Sequence, residues 1–348
     1  MGGGLDGCAV LVTGGAGYIG SHVVLALMEA GARPVVLDDL STGRRFLVPE
    51  GVPFVEADVG DGAAVAKALA GHGCRAAMHF AGSIVVPESV ERPLDYYRNN
   101  VAGSLSLLRC AVEAGLAGFV FSSTAAVYAG GGARPLREDD PVAPGNPYGR
   151  SKLMTEWMLR DASAAHGLRH AILRYFNVAG ADPGLRSGQA GPNATHLLKR
   201  ACQAATGQLG AIEVFGTDYD TPDGTAVRDY IHVSDLAAAH VAALGHLLAG
   251  NGDLTLNCGY GHGASVTEVL DAVDRVTGGR LTRRLAPRRP GDAVSLVADS
   301  RRLRETLGWQ PRHDGVDEIV RTALAWERKL GEREKTRRTF RPARTRLP

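Results

Sequence analysis

The sequence predicts an α/β protein: a doubly wound parallel sheet with a smaller mixed α/β region. Short apolar runs alternate with amphipathic stretches over about the first 170 residues. A glycine-rich turn joins the first run to the first helix. After about residue 175 the alternation loosens into Gly-, Pro- and Asp-rich loops between shorter elements.

In chain order, buried strands are expected at Cys8–Val12, Pro34–Leu37, Pro53–Val55, Ala76–Phe80, Phe119–Ser122 and Arg169–Leu173. Helices are expected between them at Tyr18–Ala30, Asp61–Ala70, Leu94–Ala114 and Tyr148–His166. Six strands so arranged match a dinucleotide-binding, or Rossmann, fold. Further helices are expected at Asn193–Thr206, Ser234–Ala249, Ser265–Thr277, Ser300–Leu307 and Val316–Leu330. The expected division is a dinucleotide-binding domain over 1–176, to which some later segments return, a second region over 177–330, and a disordered basic tail over 331–348.

Composition narrows the function. The 348 residues are 45% hydrophobic and 22% charged, ordinary globular usage that excludes wholesale disorder, collagen and coiled coil. The 45 glycines are an excess without a period, so they mark turns and close backbone approaches. Net charge is +2, but the tail alone carries seven Lys/Arg against Glu332 and Glu334, which leaves the body slightly acidic. No nucleic-acid partner is expected of such a body. Five scattered cysteines without a C-x-x-C fit reduced, buried thiols. The N-terminus lacks a charged leader region, and no apolar run is long enough to span a membrane, so a cytoplasmic setting is expected. The sequon-like Asn193-Ala194-Thr195 then has no glycosylating compartment to meet. No metal site is expected: His166 and His170 are separated by the helix-ending Gly167 and lack a third ligand. No G-x-S-x-G motif supports serine hydrolase chemistry.

The first strong signal runs Val10-Leu11-Val12-Thr13-Gly14-Gly15-Ala16-Gly17-Tyr18-Ile19-Gly20. Gly14, Gly17 and Gly20 allow a tight turn, close approach to a pyrophosphate and close helix–strand packing, and the helix N-terminus offers free N–H groups to phosphate. The second strand ends at Asp38-Asp39, where a carboxylate accepts from the adenosine ribose and repels a 2′-phosphate, so NAD is expected over NADP despite Arg44 and Arg45 nearby. Asp58-Val59 after the third strand and Phe80-Ala81-Gly82 after the fourth fall where the cofactor would lie.

Tyr148 and Lys152 are four residues apart, on one face of a helix that Pro147 starts. A phenol needs about 4 kcal/mol of help to act as a base near neutral pH, and a nearby ammonium supplies that sign of interaction. Thr124, at the carboxyl end of the fifth strand, faces the crevice where ligands bind and can relay a proton to Tyr148.

These motifs, together with Tyr96-Tyr97-Arg98-Asn99-Asn100, Arg174-Tyr175-Phe176-Asn177, the segment 214–233 and Pro287-Arg288-Arg289-Pro290-Gly291-Asp292, resemble the extended short-chain dehydrogenase/reductase family over about residues 8–330. The segment 214–233 is the part most specific to its nucleotide-sugar 4-epimerases. The resemblance implies tightly held NAD, a UDP-sugar substrate and a homodimer joined through the helices that include Leu94–Ala114 and Tyr148–His166. It implies that Tyr148, assisted by Thr124, removes the 4-hydroxyl proton while carbon 4 gives up a hydride. The keto sugar turns and the hydride returns to its other face, interconverting UDP-glucose and UDP-galactose. It carries NAD contacts onto Tyr18, Ile19, Asp38, Asp39, Ser41, Thr42, Asp58, Val59, Asn99, Ser122 and Tyr175. It carries UDP contacts onto Asn177, Leu197, Phe215, Arg228, Arg289 and Asp292, and makes 177–330 the UDP-sugar-binding region.

The chain departs from the family pattern at Thr124, where serine is common, at Ile84, where a pyrophosphate-contacting lysine is usual, and at Thr195-His196, which replace an Asn pair. Leu296 falls at the position that gates room for an N-acetyl group. Preference for an N-acetylhexosamine or a pentose stays open. A 4,6-dehydratase would need an acidic pair where Ala125-Ala126 stand. A non-catalytic NAD-binding regulator would typically have lost Tyr148 or Lys152; both are present.

Overall fold

The structure, a computed structural model, describes residues 4–132, 134–191, 195–289 and 292–339. The first half of the chain is β1 (Ala9–Thr13), α1 (Tyr18–Glu29), β2 (Arg33–Asp38), β3 (Phe54–Glu56), α2 (Gly62–His72), β4 (Ala76–His79), α3 (Val86–Glu91), α4 (Pro93–Tyr96), α5 (Gly103–Glu113), β5 (Gly118–Ser122), α6 (Pro147–His166) and β6 (His170–Tyr175). The second half is β7 (Asn177–Ala179), α7 (Leu197–Ala205), β8 (Ile212–Phe215), β9 (Val227–Arg228), β10 (Tyr230–His232), α8 (Val233–Leu248), β11 (Leu254–Cys258), β12 (Ala264–Ser265), α9 (Val266–Thr277), β13 (Arg283–Ala286), β14 (Ser295–Leu296), α10 (Arg301–Leu307) and α11 (Val316–Thr339).

The main sheet is parallel throughout, in the order β11-β6-β5-β4-β1-β2-β3. Its strands are apolar because helices cover both faces. Val10, Val12 and Met78 face a core shared with α1 and α8, while Leu11, Ala77 and Phe119 face one shared with α2, α5 and α6. The strand order reverses between β1 and β4, which places a crevice outside their carboxyl ends. Three small sheets, β10-β7, β12-β9-β14 and β13-β8, are built from the second half of the chain. Among the described residues, no helix is long and apolar enough to cross a membrane.

Four expectations need correction. The main sheet has seven strands, not six, because β11 pairs with β6 from Leu254 opposite Ala171 to Cys258 opposite Tyr175. The stretch expected as one helix over Leu94–Ala114 is α4, a π-helical segment Tyr97–Ala102, and α5. Within that segment the Asn100 amide bonds Ser83 and Ser151, a tertiary demand that helical periodicity does not reveal. α3, ahead of it, was unforeseen; Pro87 in its first turn starts it. Finally, the last helix does not stop at Leu330. It continues to Thr339, anchored where Leu330 joins a cluster with Phe46, Leu47, Ala181 and Trp326, and where the Arg333 guanidinium lies 4.1 Å over the Phe46 ring. Residues 331–339 of the expected disordered tail are therefore helical; 340–348 lie outside the described residues, as do Asn193 and Ala194 at the start of the expected Asn193–Thr206 helix.

Candidate active site

The turn between β1 and α1 fits its sequence closely. Gly14 has φ +69°, and a Cβ there would sit 2.5 Å from the Ala81 nitrogen, so glycine alone lets this turn meet the β4 exit at Phe80-Ala81-Gly82. A Cβ on Gly20 would collide with the Gly14 carbonyl. Gly17 precedes α1 and no side chain caps the helix, which leaves first-turn N–H groups at Tyr18, Ile19 and Gly20 for an anion.

Asp38 is buried at the end of β2. One carboxylate oxygen accepts from the Ala16 nitrogen and the other from Leu40, each at 2.9 Å, and burial raises its pKa. It thus ties the glycine turn to the loop that follows β2. Asp39 is exposed and accepts from the Ser41 nitrogen (2.9 Å) and hydroxyl (2.6 Å), with exposed Thr42 alongside. Asp58 accepts from the Gly60 nitrogen at 2.6 Å, and buried Val59 approaches Gly103. Asn99 donates to the Ser83 hydroxyl at 2.8 Å, just past Gly82. Ile84 is exposed.

Tyr148 and Lys152 are both buried on α6. The helix starts where the Asn146 side chain accepts from the Gly149 nitrogen at 2.9 Å. Lys152 Nζ donates to the Ser122 carbonyl at 3.1 Å and lies 5.0 Å from the centre of the Phe121 ring; burial pushes its pKa down to about 8. Ser122 in turn donates to the Tyr175 hydroxyl at 3.0 Å. Thr124 accepts from the Ala126 nitrogen at 3.1 Å, capping the single turn Ala125–Val127, and its side chain acts on the Tyr148 hydroxyl. Burial raises the Tyr148 pKa, and the Thr124 side chain opposes that rise. Sequence reasoning missed Gly149. A Cβ there would collide with the Ala126 carbonyl, so this glycine lets α6 rest on the Thr124 turn. Its signal was available: it lies inside the Tyr-to-Lys spacing.

The remaining expected residues belong to the small sheets and their loops. Arg228 in β9 is buried and ion-paired with Asp292. Leu296 in β14 stands opposite Arg228 in register and packs against the apolar cluster that includes Ala125, Val127, Leu153, Phe176 and Ala298. The Arg289 guanidinium lies 3.9 Å over the Phe215 ring at the end of β8. Asn177 opens β7, pairing with Tyr230 in β10, and half-buried Leu197 opens α7. The glycine cradle, the uncapped helix and the acidic β2 end fit a dinucleotide; the arginine pair and the aromatic ring fit a second, anionic ligand with a planar base.

Comparison with known proteins agrees with this geometry. The NAD dependent epimerase/dehydratase family model matches residues 10–259. The UDP-glucose 4-epimerase of Azospirillum brasilense is 62% identical over 321 residues, 92% of each chain. The crystal structure of UDP-glucose 4-epimerase from Brucella ovis in complex with NAD has a TM-score of 0.89 at 45% identity, covering 91% of this chain and 98% of that one. A UDP-glucose-4-epimerase from Stenotrophomonas maltophila, solved with bound NAD and formylated UDP-arabinopyranose, has a TM-score of 0.90 at 39% identity, covering 94% and 99%. With its glycine turn, acidic strand end and Tyr–Lys helix in place, the chain belongs to the NAD-dependent epimerase/dehydratase family.

Proposed function

We propose that this protein inverts carbon 4 of a UDP-hexose, interconverting UDP-glucose and UDP-galactose, with NAD as its resident cofactor. The observation that carries the reading is the buried Thr124–Tyr148–Lys152 cluster, in a chain 62% identical to a UDP-glucose 4-epimerase. NAD, when bound, takes the hydride from carbon 4, returns it, and brings the positive charge of its oxidised ring.

The chain's own residues do the rest. Tyr148 takes the 4-hydroxyl proton and later restores it. Burial alone works against that role by favouring the neutral phenol. Thr124 corrects this: its oxygen already accepts from Ala126, so its proton is free to donate to the phenolate. Lys152, with a pKa of about 8, is protonated at neutral pH and favours the phenolate by charge. Gly14, Gly17, Tyr18, Ile19, Gly20, Asp38, Asp39, Ser41, Thr42, Asp58, Val59, Phe80, Ala81, Gly82, Asn99, Ser122 and Tyr175 hold the cofactor. Arg228 and Arg289 bind the diphosphate, Asp292 accepts from ribose hydroxyls, and Asn177, Leu197 and Phe215 complete the UDP site. Firm binding of UDP leaves the hexose free to turn between the two half-reactions. Leu296, packed against the cluster that holds Ala125 and Val127, sets the room next to the sugar. The Stenotrophomonas complex favours a pentose as the second reading of the substrate.

The protein acts as a homodimer in this reading. Val90, Leu94, Leu105 and Trp157 are 63, 79, 47 and 51% exposed on α3, α4, α5 and α6, which pack against one another. Such apolar exposure on adjoining helices suits a second copy of the chain, and sedimentation of the holoenzyme at two chain masses is the expected result.

The test of function is incubation with UDP-glucose, UDP-galactose, their N-acetyl analogues, and UDP-xylose or UDP-arabinose, with products resolved by chromatography. Fastest conversion is expected between UDP-glucose and UDP-galactose. Tyr148→Phe is expected to lower turnover at least ~10²-fold, the scale of a lost general base, with NAD still bound. Near-normal turnover of that variant would refute the Tyr148 assignment.

A further inference from the structure

The geometry points to Glu156 as a positioning residue for this chemistry, acting through Ser123. This extends the Tyr148-base reading and rests on it. Glu156 follows Lys152 by one turn of α6 and is fully buried. Its carboxylate accepts from four donors: the Ser123 hydroxyl at 2.6 Å, Arg174 Nε at 2.9 Å, Arg174 Nη2 at 2.6 Å and Arg160 Nη2 at 3.2 Å. Arg174 lies in β6 and also donates to the Tyr128 hydroxyl and the Glu138 carbonyl, each at 3.2 Å. Ser123 is the residue directly before Thr124, and its own nitrogen donates to the Leu173 carbonyl at 2.8 Å.

α6 is therefore fastened to the segment 122–126 at three successive turns. Gly149 rests against the Ala126 carbonyl, Lys152 holds the Ser122 carbonyl, and Glu156 holds the Ser123 hydroxyl. The reacting pair straddles this junction, with Tyr148 on the helix and Thr124 on the strand exit. A rigid-body slide of one against the other changes the Thr124–Tyr148 separation directly. A buried ion pair is weak evidence for stability, because desolvation offsets its attraction. It does define one register, and the register here is that of the base against its proton partner. Displacements of about 1 Å in such geometry can cost ~10²-fold in rate.

The experiment compares Ser123→Ala, Glu156→Gln and Tyr148→Phe as purified holoenzymes, with kcat expressed per bound NAD. Ser123→Ala removes the link without unpairing the buried charges and is expected to lower kcat about 5- to 10-fold with KM for UDP-glucose within 2-fold. Glu156→Gln is expected to lower kcat further, also with KM and NAD content held. In the double variant the Ser123 substitution is expected to add little, because both act through one bond. A purely structural role predicts a lower unfolding temperature with unchanged kcat per bound NAD. That outcome in Ser123→Ala overturns the assignment even where Glu156→Gln fails to fold. Inactive Tyr148→Phe beside fully active Ser123→Ala and Glu156→Gln rejects only the positioning role; active Tyr148→Phe rejects the base itself.

Discussion

Tyr148, Lys152 and Thr124 announce themselves in the sequence because spacing alone dictates their placement: four residues bring Tyr and Lys to one helix face, and a strand end brings Thr to the crevice. Gly149 and Glu156 do not, since their roles exist only against residues distant in the chain, the Ala126 carbonyl and the Ser123 hydroxyl. Asp38 falls between these cases. Its place at the β2 end was legible, but its bonds to Ala16 and Leu40, which brace the loop it belongs to, were not. Gly149→Ala tests this scale. The added methyl must push α6 from the Thr124 turn, so kcat is expected to fall at least ~10-fold while the Gly14–Gly20 turn, untouched, keeps NAD bound. Unchanged kcat would show that the helix tolerates the displacement.

The elements of the main sheet were legible because buried parallel strands are near-continuous apolar runs and the helices between them carry a clear period. What escaped was set by tertiary contact. β11 is separated from β6 by nearly eighty residues, so nothing local marks it as a partner. The π-helical turn answers to Ser83 and Ser151. The end of α11 reads as a polar, basic tail because its anchors, Phe46 and Leu47, lie on the far side of the sequence. Those anchors follow the β2 loop, so the C-terminal helix braces the segment assigned to the adenosine end of the cofactor. Arg333→Ala is expected to lower stability by about 0.5–1 kcal/mol, the scale of an exposed cation–π contact, read as an earlier midpoint in urea unfolding with the slope unchanged.

Across the whole molecule, four of the five buried histidines carry large downward pKa shifts. His79 and His232 are pushed down to about 3, and His22 and His240 to about 4, in each case chiefly by burial. His79, hydrogen-bonded to Thr13 and Ser104, sits between β1 and α5 beneath the glycine turn. Each is neutral in the folded protein and becomes charged near pH 6.5 once unfolded. Their folded pKa values are depressed, so their stabilising effect is complete above about pH 6.5. It is lost as pH falls from there toward 3–4, at about 1.4 kcal/mol per pH unit for each histidine within that window. Stability measured by urea unfolding is therefore expected to drop steeply below pH 6, and His240→Asn or a similar neutral replacement to flatten that slope. A flat profile between pH 6.5 and 4.5 would contradict the neutral assignment.

Labelling carbon 4 shows whether it loses and regains its own hydrogen within one closed site. Purified holoenzyme is given UDP-galactose deuterated at carbon 4, and the product is read by mass spectrometry. UDP-glucose that retains the deuterium at carbon 4 is the expected product, with none from Tyr148→Phe at comparable times. Product that has exchanged its label with solvent, or no UDP-glucose at all from the native chain, would contradict that expectation.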